Sequence, residues 1–412
     1  MDIRLIVIGD ELLSGRIADK NGQQLGKILH QKGLNLRNIE VVGDCEADLL
    51  EAFKGFENKI TLVCGGLGPT KDDITKNVVA KFFNLHISIS NEATEVVKKN
   101  YQRRDLSWIP EANLYHHIPT TITPLNNPTG LAPGLAHLQN DYAFICLPGV
   151  PIEFEAMMVQ EVFPLLEEKY SLVTKKLGRI NIRTFGVPEE AIFHKDTEIW
   201  KNLANFGKVA SLPNALGVDI EVSNIDLDIY PQFEKEIKNV VDESPLKDHV
   251  WQYGDLSLEG MIINLAQKKN IMIGLAESCT GGLVSHRLTN IPGCSSNFLG
   301  AIISYTNEIK SDILKVKEKT INDHGAVSSE TAKEMAKGAA IRLGADLTIS
   351  LTGIAGPDGG TAKKPVGTLG IGYWYKGESG SEMIQLRGNR KNLKYLFSQK
   401  ALFTLFFLLR DN

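Results

Sequence analysis

The sequence predicts an α/β protein with a covered sheet at each end and a small α+β unit between them. Three observations carry this expectation. Short apolar runs rich in β-branched residues end in glycine or a tight turn. Apolar residues at helical spacing follow several of these runs, and strands alternating with amphipathic helices argue for parallel sheets covered on both faces. The chain has 412 residues, enough to bury two or three separate cores.

The first region runs over residues 1–170. Leu5 to Ile8 is an apolar strand ending at Gly9-Asp10, and Leu25, Ile28 and Leu29 give the next helix its buried face. Ile60 to Cys64 is a second strand, ending in Gly65-Gly66. Asp72 and Asp73 stand where an N-cap and first turn belong, ahead of a helix whose apolar face is Ile74, Val78 and Phe82. Tyr142 to Leu147 is a third strand, stopped by Pro148-Gly149.

Residues 171–250 read as the α+β unit. Arg179 to Phe185 and Val218 to Val222 are strands, a helix begins at Pro188, and Glu243 to Pro245 is a linker. The third region, 255–412, opens with a helix over Met261 to Ala266. It continues with strands at Ile271 to Ala276, Ala301 to Tyr305, Asp346 to Leu351 and Thr368 to Tyr375. Tyr395 to Leu409 is a buried C-terminal helix, interrupted by Ser398, Gln399 and Lys400 and too short to span a bilayer.

Composition narrows the function. A net charge of −4 offers no global basic field for nucleic acid or an anionic membrane. Five cysteines, an odd number with no C-x-x-C pair, fit free thiols in a reducing compartment. The apolar run near the N-terminus is too short for a signal peptide, so a cytoplasmic location is expected.

The first chemical site is Gly65-Gly66-Leu67-Gly68-Pro69-Thr70-Lys71-Asp72-Asp73, which follows a buried strand and opens a helix. Its glycines let backbone N–H groups approach a ligand, and a helix N-terminus favours phosphate. Asp72 and Asp73 offer hard oxygen ligands for a divalent cation, or else cap the helix. Asp10, Glu11 and Glu153 end other loops that converge on the same crevice, each as a metal or water ligand or as a surface carboxylate.

These blocks, with Asn127 to Gly134 and Leu147 to Glu153, resemble the molybdopterin-binding fold as used by CinA proteins. The resemblance implies a three-layer α/β/α domain acting as an ADP-ribose pyrophosphatase that depends on a divalent metal (Mg, Mn or Co). Molybdopterin handling is a rival reading, because fold does not fix substrate.

The second site is Ala276-Glu277-Ser278-Cys279-Thr280-Gly281-Gly282, again a strand-to-helix turn. Ser278 and Cys279 are rival nucleophiles there, and a plain phosphate loop is a third reading. His324 is the one histidine with a motif around it. Lys310, just after a strand, is either a base of lowered pKa or a solvated lysine. Thr352 to Gly360 is a further glycine-rich loop. Arg390 offers a planar fork for phosphate or serves as a surface cap.

Together with Ser304 to Asn307, His324 to Ser328 and Lys364 to Thr368, these blocks resemble the CinA C-terminal domain, a nicotinamide-nucleotide amidase. The resemblance implies Ser278 as nucleophile, Lys310 as general base, Tyr305 as its partner and Thr352 in the active site. It implies substrate contacts by Glu277, Cys279, Thr280, Gly281, Gly282, Gly353, Gly356 and Arg390. In the first domain it implies substrate contacts by Gly65, Gly66, Gly68, Pro69 and Thr70, and a metal held by Asp72, Asp73, Asp10 and Glu153. Where the family often has further arginines after Arg390, this chain has Lys391 and Lys394. The expected ligands are nicotinamide mononucleotide and ADP-ribose, with no metal at the amidase and a homodimer as the assembly. A non-catalytic protein that binds nucleotides or a partner is the alternative.

Overall fold

A computed structural model describes residues 2–170, 177–192, 198–214 and 216–411. The described chain groups into two compact units, Met1–Arg179 with Ser223–Lys235, and Ile180–Val222 with Glu236–Asn412. The boundary expected at 170–171 lies against residues outside the description.

In the first unit β1 (Asp2–Ile8), β2 (Leu36–Val42) and β3 (Lys59–Cys64) are followed by a two-stranded ribbon of β4 (Ile87–Ile89) and β5 (His117–Pro119). Then come β6 (Thr123–Leu125), β7 (Gly134–Leu138) and β8 (Ala143–Leu147). The main sheet has the order β2-β1-β3-β8-β7-β6. β2, β1, β3 and β8 are parallel, whereas β7 and β6 run antiparallel, so the sheet is mixed where a parallel one was expected.

Side-chain alternation explains the two covered faces. Ile3, Leu5 and Val7 join one buried cluster with Leu62 and Ile145, while Ile6 and Ile8 join another with Val63 and Phe144. β2 carries no continuous apolar run because it is the edge strand, and Ile39 and Val41 are exposed.

The middle of the chain forms β9 (Leu177–Thr184), β10 (Lys208–Asn214), β11 (Gly217–Asp226) and β12 (Val250–Tyr253), ordered β10-β11-β9-β12. Most of this sheet groups with the second unit. The reason is aromatic packing. Phe185 lies 4.1 Å from Phe403, ring to ring, and Trp251 lies 5.8 Å from Phe406, so the C-terminal helix Arg390–Asp411 buries its apolar side partly on these residues.

The second unit's main sheet contains β13 (Ile273–Glu277), β14 (Phe298–Ile303), β15 (Leu347–Gly353), β16 (Thr368–Tyr375) and β17 (Glu378–Gln385). Its order is β14-β13-β15-β16-β17, with β14, β13 and β15 parallel and the last two antiparallel. Leu347, Ile349 and Leu351 on β15 face the large core. The alternate residues Thr348 and Ser350 donate to the carbonyls of Ala336 and Ala332 on helix Ser329–Leu343. Small residues on that helix permit so close an approach that a Cβ on Gly372 would lie 2.2 Å from the Ala332 oxygen.

Candidate active sites

The carboxyl ends of β13, β14 and β15 lie side by side, and each is followed by a residue with chemistry. Ser278 follows β13, Ser304 and Tyr305 follow β14, and Thr352 is the penultimate residue of β15. The hydroxyl of Thr306 caps the short helix Asn307–Asp312 by accepting from Ile309 N, and that helix carries Lys310 back over the strand ends.

Lys310 is 2% exposed. Its Nζ lies 3.1 Å from Ser278 Oγ, 2.9 Å from the Ser304 carbonyl oxygen and 3.4 Å from that of Tyr305. Burial lowers its pKa, and the opposing influence of Cys279 and Glu308 is smaller. A neutral amine suits this geometry. With its two N–H groups on the two backbone carbonyls, a neutral amine would have its lone pair left for the Ser278 hydroxyl. Tyr305 thus partners Lys310 through its carbonyl. Its phenol is exposed and accepts from Arg390, which also donates 2.6 Å to the Gly356 carbonyl.

Cys279 points into the core, and burial pushes its thiol up to about 12. That thiol is wholly protonated at neutral pH and turned away from solvent, which removes the geometry of a nucleophile. Its Sγ lies 3.2 Å from where a Cβ on Gly353 would stand, so both residues serve packing between the strands. Glu277 is likewise fully buried. Its carboxylate accepts from the N–H groups of Gly282, Val284 and Ser285 and from the Ser285 hydroxyl. It caps helix Leu283–Thr289 from the preceding strand and holds the Ser278 turn, with no oxygen turned to a ligand. The expected substrate contact by Glu277 is therefore replaced by a capping one. The sequence signal for this cap is a glutamate four residues before the Gly281-Gly282 helix entry.

Thr280 is fully buried, and its hydroxyl has no hydrogen-bond partner among the described residues. Gly281 and Gly282 have φ of 60° and 94°, which a side chain would strain. Lys394 Nζ lies 3.8 Å from where a Gly281 Cβ would be, placing a cation beside the Ser278 turn. Thr352 donates 2.7 Å to the Ala326 carbonyl, fixing the loop that follows His324. His324 itself is half exposed and stands 3.7 Å from Glu330, so the histidine is not the base partner of Ser278.

The first unit holds a cavity of about 750 Å³ at the carboxyl ends of β1, β3 and β8. Gly65, Gly66, Gly68, Asp72 and Glu153 line it, together with Asp44 and Lys20. Pro69 and Thr70 line a neighbouring cavity of about 180 Å³. Helix Thr75–Phe82 begins two residues later than expected, leaving Asp72 and Asp73 in the turn ahead of it.

The four expected metal ligands do not form one set. Asp73 accepts from Thr70 N at 2.9 Å and from the Thr70 hydroxyl, and so ties the glycine-rich loop. Glu153 accepts 2.8 Å from Asn127, which also accepts from Thr129 N and Gly130 N and so organises the 127–134 loop. Asp10 turns to the β2 end, where its carboxylate and that of Asp44 accept from each other's backbone N–H. No three His, Cys, Asp or Glu side chains among the described residues converge to hold a metal ion.

Asp44 was not anticipated. Burial raises its pKa, and the neighbouring carboxylates Asp10, Glu11 and Asp72 raise it further. Its position just past a strand's carboxyl end was the available clue. This acidic rim fits a cation of the magnesium type, which takes one or two carboxylates and draws its other ligands from phosphate and water.

Comparison with known proteins supports two regions. Residues 255–409 match the CinA C-terminal domain, and residues 4–168 match the probable molybdopterin binding domain. A protein of Alkaliphilus metalliredigens named as competence-damage inducible is 37% identical over 409 residues, covering 98% of each chain. A CinA-like protein of Kosmotoga olearia is 35% identical, covering 100% of this chain and 98% of its own. A solved structure of a competence/damage inducible protein from Agrobacterium tumefaciens is 36% identical over 36% of this chain and 96% of its own, with a TM-score of 0.34. Similarity of this extent, in both regions and in one order, means that the chain belongs to the CinA family.

Proposed function

We propose that the second unit is an amidohydrolase that converts nicotinamide mononucleotide to nicotinic acid mononucleotide and ammonia. One observation carries this reading: a buried lysine amine 3.1 Å from a serine hydroxyl at the meeting point of three parallel strand ends. Neutral Lys310 takes the Ser278 proton as Oγ attacks the carboxamide carbon. The C–N bond then breaks, Lys310 returns the proton to the leaving nitrogen, and ammonia departs. Water, deprotonated by the same amine, cleaves the ester and restores Ser278. The amide of Ser278 donates to the Leu351 carbonyl, that of Gly281 to the Ser278 carbonyl and that of Gly282 to Glu277, which leaves the N–H groups of Cys279 and Thr280 as the turn's donors for the oxyanion. Arg390 and Lys394 supply positive charge for the substrate phosphate. The test is ammonia release from the mononucleotide by the wild type and by Ser278→Ala. Equal release by both would end the assignment.

For the first unit we propose hydrolysis of ADP-ribose to AMP and ribose 5-phosphate. The cavity beside the glycine-rich loop supports this reading by its size and its mixed acidic and basic lining. A divalent cation bound near Asp72 and Asp44 would neutralise the diphosphate and activate water. The chain's own residues present loop N–H groups to phosphate, with Asp73 holding the glycine-rich loop and Asn127 the 127–134 loop. AMP release that responds to Mg, Mn or Co titration tests it, and no AMP under any of the three would exclude it.

A further inference from the structure

We propose that the second unit carries a separate binding site for a small organic phosphate of mononucleotide size, on the far side of the segment that holds Lys310. A cavity of about 360 Å³ lies between the loop after helix Asn307–Asp312 and the outer face of helix Ser329–Leu343. That volume lies within the range of small-molecule sites. Lys315, Lys317, Lys337 and Arg342 line it, and Glu334 is the one carboxylate among its lining residues, which leaves a formal charge of 4 − 1 = +3.

None of the four cations makes an ion pair among the described residues. Glu334 is already committed, accepting from Lys317 N and the Thr320 hydroxyl. Four like charges around a concave, partly apolar wall repel one another and focus a positive potential that an anion relieves. The wall is suited to more than a bare ion. Leu314 is buried at the floor, Ile341 is 70% exposed at the rim, and Lys337 stands over the Trp374 ring at 5.2 Å. A ligand with one anionic group and one flat apolar group satisfies both parts of the cavity.

The floor is rigid and connects to the lysine. A Cβ on Gly338 would lie 1.9 Å from the Leu314 carbonyl oxygen, so loop and helix are in the closest contact a glycine allows. Arg342 donates 3.0 Å to the Ile313 carbonyl, and Val316 N donates 3.0 Å to the Lys310 carbonyl. Leu314 and Val316 pack on Ala276, two residues before Ser278. An anion that draws Arg342 and Lys315 inward therefore pulls on the backbone that sets the Lys310 amine. This effect on catalysis rests on the amidase reading above, whereas binding does not.

The experiment is acetylation of lysines in the full-length protein, read by peptide mass spectrometry, with AMP as probe. Near saturation, labelling of Lys315, Lys317 and Lys337 should fall about fivefold, while Lys319 and Lys333 on the same segments stay unchanged. Equal labelling with and without AMP overturns the site. Equal protection by inorganic phosphate overturns its size class and leaves an adventitious ion only. In Lys315→Glu/Lys337→Glu the protection of Lys317 should vanish, and its persistence would also overturn the site. AMP should change the rate of ammonia release by the wild type but not by that variant. A response in both, or in neither while the wild type releases ammonia, overturns the coupling. Absence of ammonia release without AMP counts against the amidase reading alone, because the labelling decides the binding site independently.

Discussion

The two candidate sites sit at equivalent places, the carboxyl ends of parallel strands beside a glycine-rich turn, yet they are built differently. In the second unit the two groups of the proposed chemistry are already together, Lys310 Nζ against Ser278 Oγ in a buried setting. In the first unit the carboxylates stand around an open cavity, and Asp73, Glu153 and Asp10 are engaged with the protein's own loops. A serine and a lysine must touch before substrate arrives, so folding has to assemble them. A phosphate and its cation bring much of their own coordination, so the protein has only to shape the loops and place one or two acids.

This contrast can be broken by mutation. The largest expected effect is on Ser278→Ala, which should lower ammonia release by about a thousandfold or more while ADP-ribose cleavage stays near wild type. Retained amidase activity would show that the preassembled pair is not the catalyst. Lys310→Arg should lose a comparable factor because arginine does not deprotonate, yet still bind the mononucleotide, whose phosphate is assigned to Arg390 and Lys394. The pH profile sharpens this point. Hydrolysis needs the neutral amine, so the rate should rise with pH through the folded pKa of Lys310, which burial holds below the usual lysine value. Between the folded and unfolded values the unfolded chain binds the extra proton, so the stability contribution of Lys310 improves as pH rises across that window. A rate that rises nowhere below the usual lysine pKa, down to the acid limit of folding, would contradict the base role.

Intermediate effects separate scaffold from chemistry. Glu277→Gln replaces a charged acceptor of four hydrogen bonds at a helix start and should cost about 2 kcal/mol, seen as a lower Tm with a parallel loss of amidase activity. An unchanged Tm would mean that the carboxylate does something other than capping. In the first unit Asp72→Ala should weaken the metal response of AMP release at unchanged stability. Asp73→Ala should loosen the 68–73 turn and lower both. Identical behaviour of the two variants would erase the distinction drawn from their contacts. The smallest effect is expected for Cys279→Ala, with activity retained and a packing loss of about 1 kcal/mol. An inactive Cys279→Ala of normal stability would return the nucleophile to the thiol.

The amino-acid sequence by itself determined the buried strands and the turns that follow them. β1, β3, β8, β13 and β16 were legible as mainly apolar runs, because strands covered on both faces are mostly apolar, and β15 was legible through its alternate Leu347, Ile349 and Leu351. The edge strands β2 and β17 were not, since their side chains face water and read like loops. The antiparallel parts of both sheets were hidden for a related reason: an apolar run records burial and says nothing of direction. Ser278, Lys310, Tyr305 and Arg390 were legible as candidates through their motifs. Which of them come into contact was decided only by the tertiary structure. Ser278 and Cys279 are adjacent in sequence, but one points to the amine of Lys310 and the other into the core, and the turn that follows β13 settles which. The contacts of Lys310 come from residues that follow β13 and β14, and the capping by Glu277 depends on where the next helix begins. Such properties arise from the dielectric and the donors around a side chain, which the folded chain supplies and the local sequence does not contain.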